Sequence, residues 1–169
     1  MFAIKNDLRR KSRLVAGGHF IDVHTDLQIY SSQVKPISVK IIGVIADKMG
    51  LKQLCGEVSN EYVNADTSHK AYVPVSGPEF GSRSGQMIVI KRALYELSAS
   101  GADWYRNFLK TSQHIRFAPT RFDRDAWVKL VDSGDHYEYI CTYVDDFMIE
   151  YKSPEDVVEL IKKEYHIKG

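Results

Sequence analysis

Apolar positions along the chain change their period several times, and each change marks an element. Between residues 34 and 49 the apolar side chains Val34, Ile37, Ile41, Ile42, Ile45, Ala46 and Met49 recur at three- and four-residue spacing, which predicts a helix. Pro36 fits its first turn, and Gly50 follows where a left-handed residue ends a helix. Residues 51–58 then read as a strand. Upstream, Arg13-Leu14-Val15-Ala16 reads as a short strand ended by Gly17-Gly18. The stretch 64–85 is rich in Gly, Pro, Ser and Asp and holds one expected strand, 70–75. The β-branched run Ile88-Val89-Ile90 predicts a strand over 87–92.

The second half reads more regularly. Ser98 or Ser100 is placed to cap a helix reaching about residue 116, with Ala102, Tyr105, Phe108 and Leu109 on its apolar face and Trp104 beside it. Strands are expected over 126–131 and 137–143, joined by the turn Asp132-Ser133-Gly134-Asp135, and a further strand over 147–151. Ser153-Pro154-Glu155-Asp156 is a strong helix start: cap residue, proline at the first position, acids in the first turn. That last helix is expected to run over 155–165. Strand, helix, strands, helix is an α+β order, for which an antiparallel sheet with helices on one face is expected.

Composition narrows the class. In 169 residues, 44% hydrophobic and 27% charged content supports a folded core and argues against disorder. A net charge of +1 advertises no overall basic field. Lys5, Arg9, Arg10, Lys11 and Arg13 nevertheless crowd the start against one acid, Asp7, and read either as a solvated end or as a phosphate-contacting arm. Two cysteines, Cys55 and Cys141, do not make a disulfide framework, and each sits in an apolar stretch where a small buried hydrophobe is expected. The first ten residues are too polar for a signal peptide, and the apolar run 41–46 is far too short for a membrane span. An intracellular protein, cytoplasmic or nuclear, is expected. The six histidines show no zinc-ligand spacing.

Chemistry enters at Tyr143-Val144-Asp145-Asp146, which falls between two apolar strands. Two adjacent acids at a tight turn raise each other's pKa unless a cation is near, and hard carboxylate oxygens suit Mg²⁺. The bland alternative is a surface turn that uses Asp because Asp favours turns.

This turn resembles the active-site turn of reverse transcriptases. From about Lys11 to Tyr165 the chain resembles the copia-type retrotransposon reverse transcriptase, an RNA-directed DNA polymerase. The resemblance rests on motifs in order: Lys11-Ser12-Arg13-Leu14-Val15-Ala16, then Tyr30-Ser31-Ser32 ahead of the first helix. Next come Gly56-Glu57-Val58 with Asn64-Ala65, and Ala93-Leu94-Tyr95-Glu96-Leu97 with Trp104. Asp123 with Trp127-Val128, and finally the Asp-Asp turn, complete the order. The resemblance implies a polymerase palm, with a ferredoxin-like antiparallel sheet, plus part of the fingers and no thumb. On that reading residues 1–50 and 66–97 are the fingers portion, and 51–65 and 98–169 the palm portion.

The resemblance also implies catalysis of nucleotidyl transfer by two Mg²⁺ ions, with Mn²⁺ as a substitute, held by Glu57, Asp145 and Asp146 and by the Val58 carbonyl. Lys11, Arg13, Tyr62 and Glu96 would face the nucleotide, Tyr62 as the aromatic residue under the sugar. Partners would be an RNA or DNA template-primer and dNTPs, with the thumb and RNase H segments normally in cis. Trp104 and Tyr105 read as core, with base stacking as the alternative. Four departures imply impairment: Glu57 where the family has Asp, Glu61 at an alanine position, Glu96 at a glycine position, and Ser98-Ala99 where a lysine and a polar partner are common. The alternative expectation is a non-catalytic retroelement remnant that at most binds nucleic acid. A small regulatory domain of ferredoxin-like topology needs neither the turn nor the ordered motifs.

Overall fold

The computed structural model describes residues 2–4, 8, 10–15, 32–73 and 76–168. Its elements are β1 (Phe2–Ile4), β2 (Arg10–Ser12), α1 (Pro36–Met49), β3 (Lys52–Val58), β4 (Asp66–Val73), β5 (Ile88–Arg92) and α2 (Ser100–His114). The chain goes on through β6 (Ala118–Pro119), β7 (Ala126–Leu130), β8 (Tyr137–Tyr143), β9 (Asp146–Tyr151), α3 (Pro154–Lys162) and β10 (Ile167–Lys168). The chain divides into two compact units: Met1–Tyr30 with Tyr62–Trp104, and Ser31–Glu61 with Tyr105–Gly169. Among the described residues no helix is long and apolar enough to cross a membrane.

The first unit contains two antiparallel pairs, β1–β2 and β4–β5. The strand expected at Arg13–Ala16 is not formed at Arg13–Val15, and Ala16 lies outside the described residues. β2 ends at Ser12, and Val15 makes an isolated parallel bridge to Tyr95. Pairing with β1 decides this, because Phe2, Ala3 and Ile4 align with Ser12, Lys11 and Arg10. Gly17-Gly18, Tyr30 and Ser31 lie outside the described residues.

The second unit is built on one six-stranded antiparallel sheet in the order β10-β3-β9-β8-β7-β6. Side chains directly across a ladder share a face, so the register assigns the faces. Ala126, Cys141, Met148 and Cys55 lie in one row; Trp127, Ile140, Ile149 and Leu54 lie in a row on the opposite face. α1 covers the first face: Val34 and Ile42 pack with Ala126 and Cys141, joined by Val39, Tyr139 and Met148. On the other face Trp127, fully buried, meets Tyr105 and Phe108 of α2. Tyr165, just past α3, stacks on Phe108 and hydrogen-bonds Thr111. Helices thus cover both faces, where the element order led to an expectation of one. The helix that changes the picture is α1, which the reading by resemblance placed with the fingers portion. It packs on β8 and β9.

Local signals explain where α1 begins and ends. Gly50 adopts φ +64°, its N–H donates to the Asp47 carbonyl, and the Leu51 N–H reaches back to the Ala46 carbonyl. That pair of bonds is the Schellman ending that glycine permits. At the other end Lys35 makes no side-chain cap. Asp123, from the loop before β7, supplies it instead: its Oδ2 accepts the Lys35 N–H at 2.8 Å and the Ser38 hydroxyl at 2.6 Å. Burial alone would raise the Asp123 carboxyl. Hydrogen bonds from Ser38, Lys35 and the Asp125 N–H, with the Lys35 charge, outweigh it and hold the group below its ordinary value.

The remaining differences are short. α2 starts at Ser100, whose hydroxyl donates to the Leu94 carbonyl rather than capping the helix. α3 follows Ser153 as expected but stops at Lys162. Cys141 is buried as expected, and burial, with the charges of Asp123 and Glu150, pushes its thiol up to about 12. Cys55 is exposed, against expectation. β3 forms where a strand is expected, but its Cys55 side chain is not covered.

Candidate active site

Glu57 is the penultimate residue of β3 and Asp146 the first of β9, and the two are directly opposite in the ladder. Tyr143 of β8 faces Asp146 from the other side. Glu57, Asp146 and Tyr143 therefore form one row across three strands, on the face that α1 covers further along. Val144 and Asp145 make the two-residue connection of the β8–β9 hairpin. The Val58 N–H donates to the Asp145 carbonyl at 2.7 Å, which lays the turn across the end of β3. Next to Glu57, Gly56 lets the Phe147 ring lie against the backbone: a Cβ there would come within 2.5 Å of that ring.

The turn is strained. Val144 has φ +56°, a conformation that β-branched residues rarely adopt and that costs ~1–3 kcal/mol. Its N–H is anchored by the Ser32 carbonyl at 2.6 Å. Among the described residues with positive φ, Asp145 is absent, so only the first central residue of the hairpin is left-handed.

Burial raises the Asp146 carboxyl above its ordinary value, and the charges of Asp145 and Glu57 add to the rise. Asp146 thus feels the charges of the other two acids named from the sequence. The three side chains do not yet converge: among the described residues no three His, Cys, Asp or Glu groups are arranged to hold a metal ion. Glu57 instead meets Lys168 of β10, its register partner, with Nζ 3.4 Å from Oε1. Both side chains are about half exposed, so the pair adds little stability. A groove of about 820 Å³ opens beside the acids, between α1 and the sheet. Val34, Val39, Cys55 and Met148 line it together with Glu57 and Asp146.

The other candidates lie in the first unit. The Arg13 guanidinium sits 5.3 Å from the centre of the Tyr95 ring, and Tyr62 meets the same ring edge-on at 5.1 Å. Arg13 and Tyr62 are thus gathered about one aromatic side chain, and Glu96 is the next residue in the chain. The side chain of Lys11 lies outside the described residues. Glu96 adopts φ +71°, a setting that favours glycine. Glu96→Gly is therefore expected to stabilise the protein by ~1 kcal/mol, raising the melting temperature by roughly 2–4 °C in a thermal scan. A lower melting temperature would refute the strain at this position. Glu61 is buried, and so are Trp104 and Tyr105, as a core reading requires. Sequence reasoning gave no role to Lys168, which carries no local pattern, and noted Ser32 and Asp125 only within motif stretches. It noted Asp123 only as part of a motif.

Comparison with known proteins shows the family. A family model described as reverse transcriptase (RNA-dependent DNA polymerase) matches residues 2–169. The chain belongs to this family. One relative of this reverse transcriptase chain is the "Retrovirus-related Pol polyprotein from transposon RE1" of Arabidopsis thaliana, 29% identical over 154 residues. The alignment covers 86% of the chain and 10% of the polyprotein, so the chain spans about a tenth of that relative's length. No solved structure matches the chain.

Proposed function

We propose that this chain is the catalytic core of a copia-type retrotransposon reverse transcriptase, its second unit corresponding to the palm and its first to part of the fingers. The observation that carries the reading is the register pairing of Glu57 with Asp146 beneath the Asp145 turn. Glu57, Asp145 and Asp146, with the Val58 carbonyl, would hold two Mg²⁺ or Mn²⁺ ions. These would supply positive charge at an attacking primer hydroxyl and at a leaving pyrophosphate. The donor set suits hard cations, and a divalent ion would offset both the burial that chiefly raises Asp146 and the charges of Asp145 and Glu57 that add to it. The chain's own contribution is placement: the ladder sets the spacing of two acids, and the hairpin turn sets the third. Arg13 and Lys11 would meet the triphosphate and Tyr62 the sugar of a dNTP, opposite an RNA or DNA template-primer.

A second reading is favoured by one contact. Lys168 already gives Glu57 a counter-ion, and Glu57 is longer than the aspartate that the family resemblance implies. Both suit a remnant that keeps the fold and at most binds nucleic acid. Mn²⁺ titration followed by water-proton relaxation separates the two. Binding that is lost in Asp145→Asn is expected; binding unaffected by that substitution would sink the metal-site reading.

A further inference from the structure

The geometry points to Asp125 as a positioning residue that holds the Asp145 turn in shape through Ser32. The proposal rests on the carboxylate turn being the metal-binding turn, as argued above.

Asp125 stands just before β7, with only 2% of its surface exposed. Its Oδ1 accepts the Ser32 hydroxyl, and its Oδ2 accepts the Gln33 N–H at 3.1 Å. Its backbone carbonyl accepts the Thr142 N–H at 2.9 Å, which ties it to β8 as well. Thr142 closes the network, with its hydroxyl 3.3 Å from that of Ser32 and 3.2 Å from the Trp127 indole nitrogen.

The consequence lies two residues past Thr142, in the turn that follows β8. β7 pairs with β8 only as far as Cys141. Beyond it, the segment Ser32-Gln33-Val34 takes over as the neighbour: the Val34 N–H donates to the Thr142 carbonyl, Gln33 bridges Tyr143, and the Val144 N–H donates to the Ser32 carbonyl. That last bond holds the strained residue of the hairpin. The segment is too short to hold itself as a strand, and the Asp125 carboxylate grips both its hydroxyl and its first free amide. A buried carboxylate accepting two such bonds is a strong, directional clamp. When the clamp is lost, Val144 is free to return to negative φ. The Val144–Asp145 peptide then turns over and Asp145 is re-aimed, while β8 and β9 stay paired. Support of this indirect kind commonly changes metal affinity without unfolding the protein.

The test compares the full chain with Asp125→Ala, Asp125→Asn and Ser32→Ala. Amide hydrogen exchange of Val144 is read against the amides within β8. In Asp125→Ala, Val144 is expected to lose about tenfold protection while the β8 amides keep theirs. Mn²⁺ affinity is expected to fall roughly 10–100-fold. Asp125→Asn, which keeps an acceptor for the Ser32 hydroxyl but turns an NH2 donor toward the Gln33 N–H, should recover only part of both losses. Ser32→Ala should loosen Val144 as Asp125→Ala does, and it carries the test alone where Asp125→Ala fails to fold. Val144 exchange that is unchanged, or that rises only in step with the β8 amides, overturns the proposal. A parent chain that binds no Mn²⁺ overturns the metal reading instead, and Val144 exchange still decides the clamp.

Discussion

Primer extension by this chain with Mg²⁺ and dNTPs is expected to stay at background, and the triple substitution Glu57→Asp, Glu61→Ala, Glu96→Gly is expected to raise it by at least ~10²-fold. Each change has its own physical cause. The Glu57 carboxylate stands one methylene, on the order of 1 Å, beyond where an aspartate would place it, and a misplacement of that size can cost ~10²-fold in rate. In the structure that extra reach takes Glu57 to Lys168. A negative charge about 6 Å from a phosphate opposes it by roughly 3 kcal/mol at an effective dielectric near 20, another hundredfold or so. Glu61 and Glu96 are the candidates for such a charge. Glu96 also forces a side chain onto a left-handed backbone, where glycine would allow close approach. Single-turnover extension on a primed template checks the series. Robust extension by the unsubstituted chain would overturn the impairment reading. A triple variant that folds but stays silent would place the defect outside these three positions.

Asp146→Asn should stabilise the cation-free protein at pH 7 and abolish its stabilisation by Mn²⁺. Burial, then Asp145 and Glu57, raise the Asp146 carboxyl above its ordinary value of 3.8. The folded chain therefore binds this proton more readily than the unfolded chain. Stability attributable to Asp146 falls as pH rises through the window just above the ordinary value, and it returns on acidification. Asparagine removes that dependence. Asp123 and Asp135 contribute the opposite slope. Asp123 is held below its ordinary value, and hydrogen bonds from Ser133 and His136 hold Asp135 at about 2. Both are common to parent and variant, so the difference between the two melting curves isolates Asp146. For the parent, Mn²⁺ at about 100 times its Kd should stabilise by ~2.7 kcal/mol, roughly 5–11 °C for a chain of this size. Calorimetry between pH 4 and 7, with and without Mn²⁺, reads both effects. A variant that melts lower than the parent without metal, or that keeps the Mn²⁺ gain, contradicts the electrostatic account of the turn.

Much of this protein could be read from local pattern, because the forces involved act over a few residues. The apolar spacing and Gly50 defined α1 to within two residues. Apolar and β-branched runs, with the turn residues between them, located β3, β5, β7, β8 and β9. The Tyr-Val-Asp-Asp tetrad named the hairpin turn, and six motifs in order named the family. What the chain could not announce was which distant segments meet. Alternation says that Glu57 and Asp146 lie at strand ends, and only the β3–β9 register puts them opposite each other across 89 positions of sequence. The same holds for the Asp123 cap on α1, the Ser32 carbonyl on Val144, and Lys168 beside Glu57. Each is a single polar contact between segments far apart in the chain, and no periodicity encodes its partner. The exposure of Cys55 and the placing of α1 on its own sheet face follow from the same cause. A helix's apolar stripe states that it will be buried, and the packing of the whole unit decides against what.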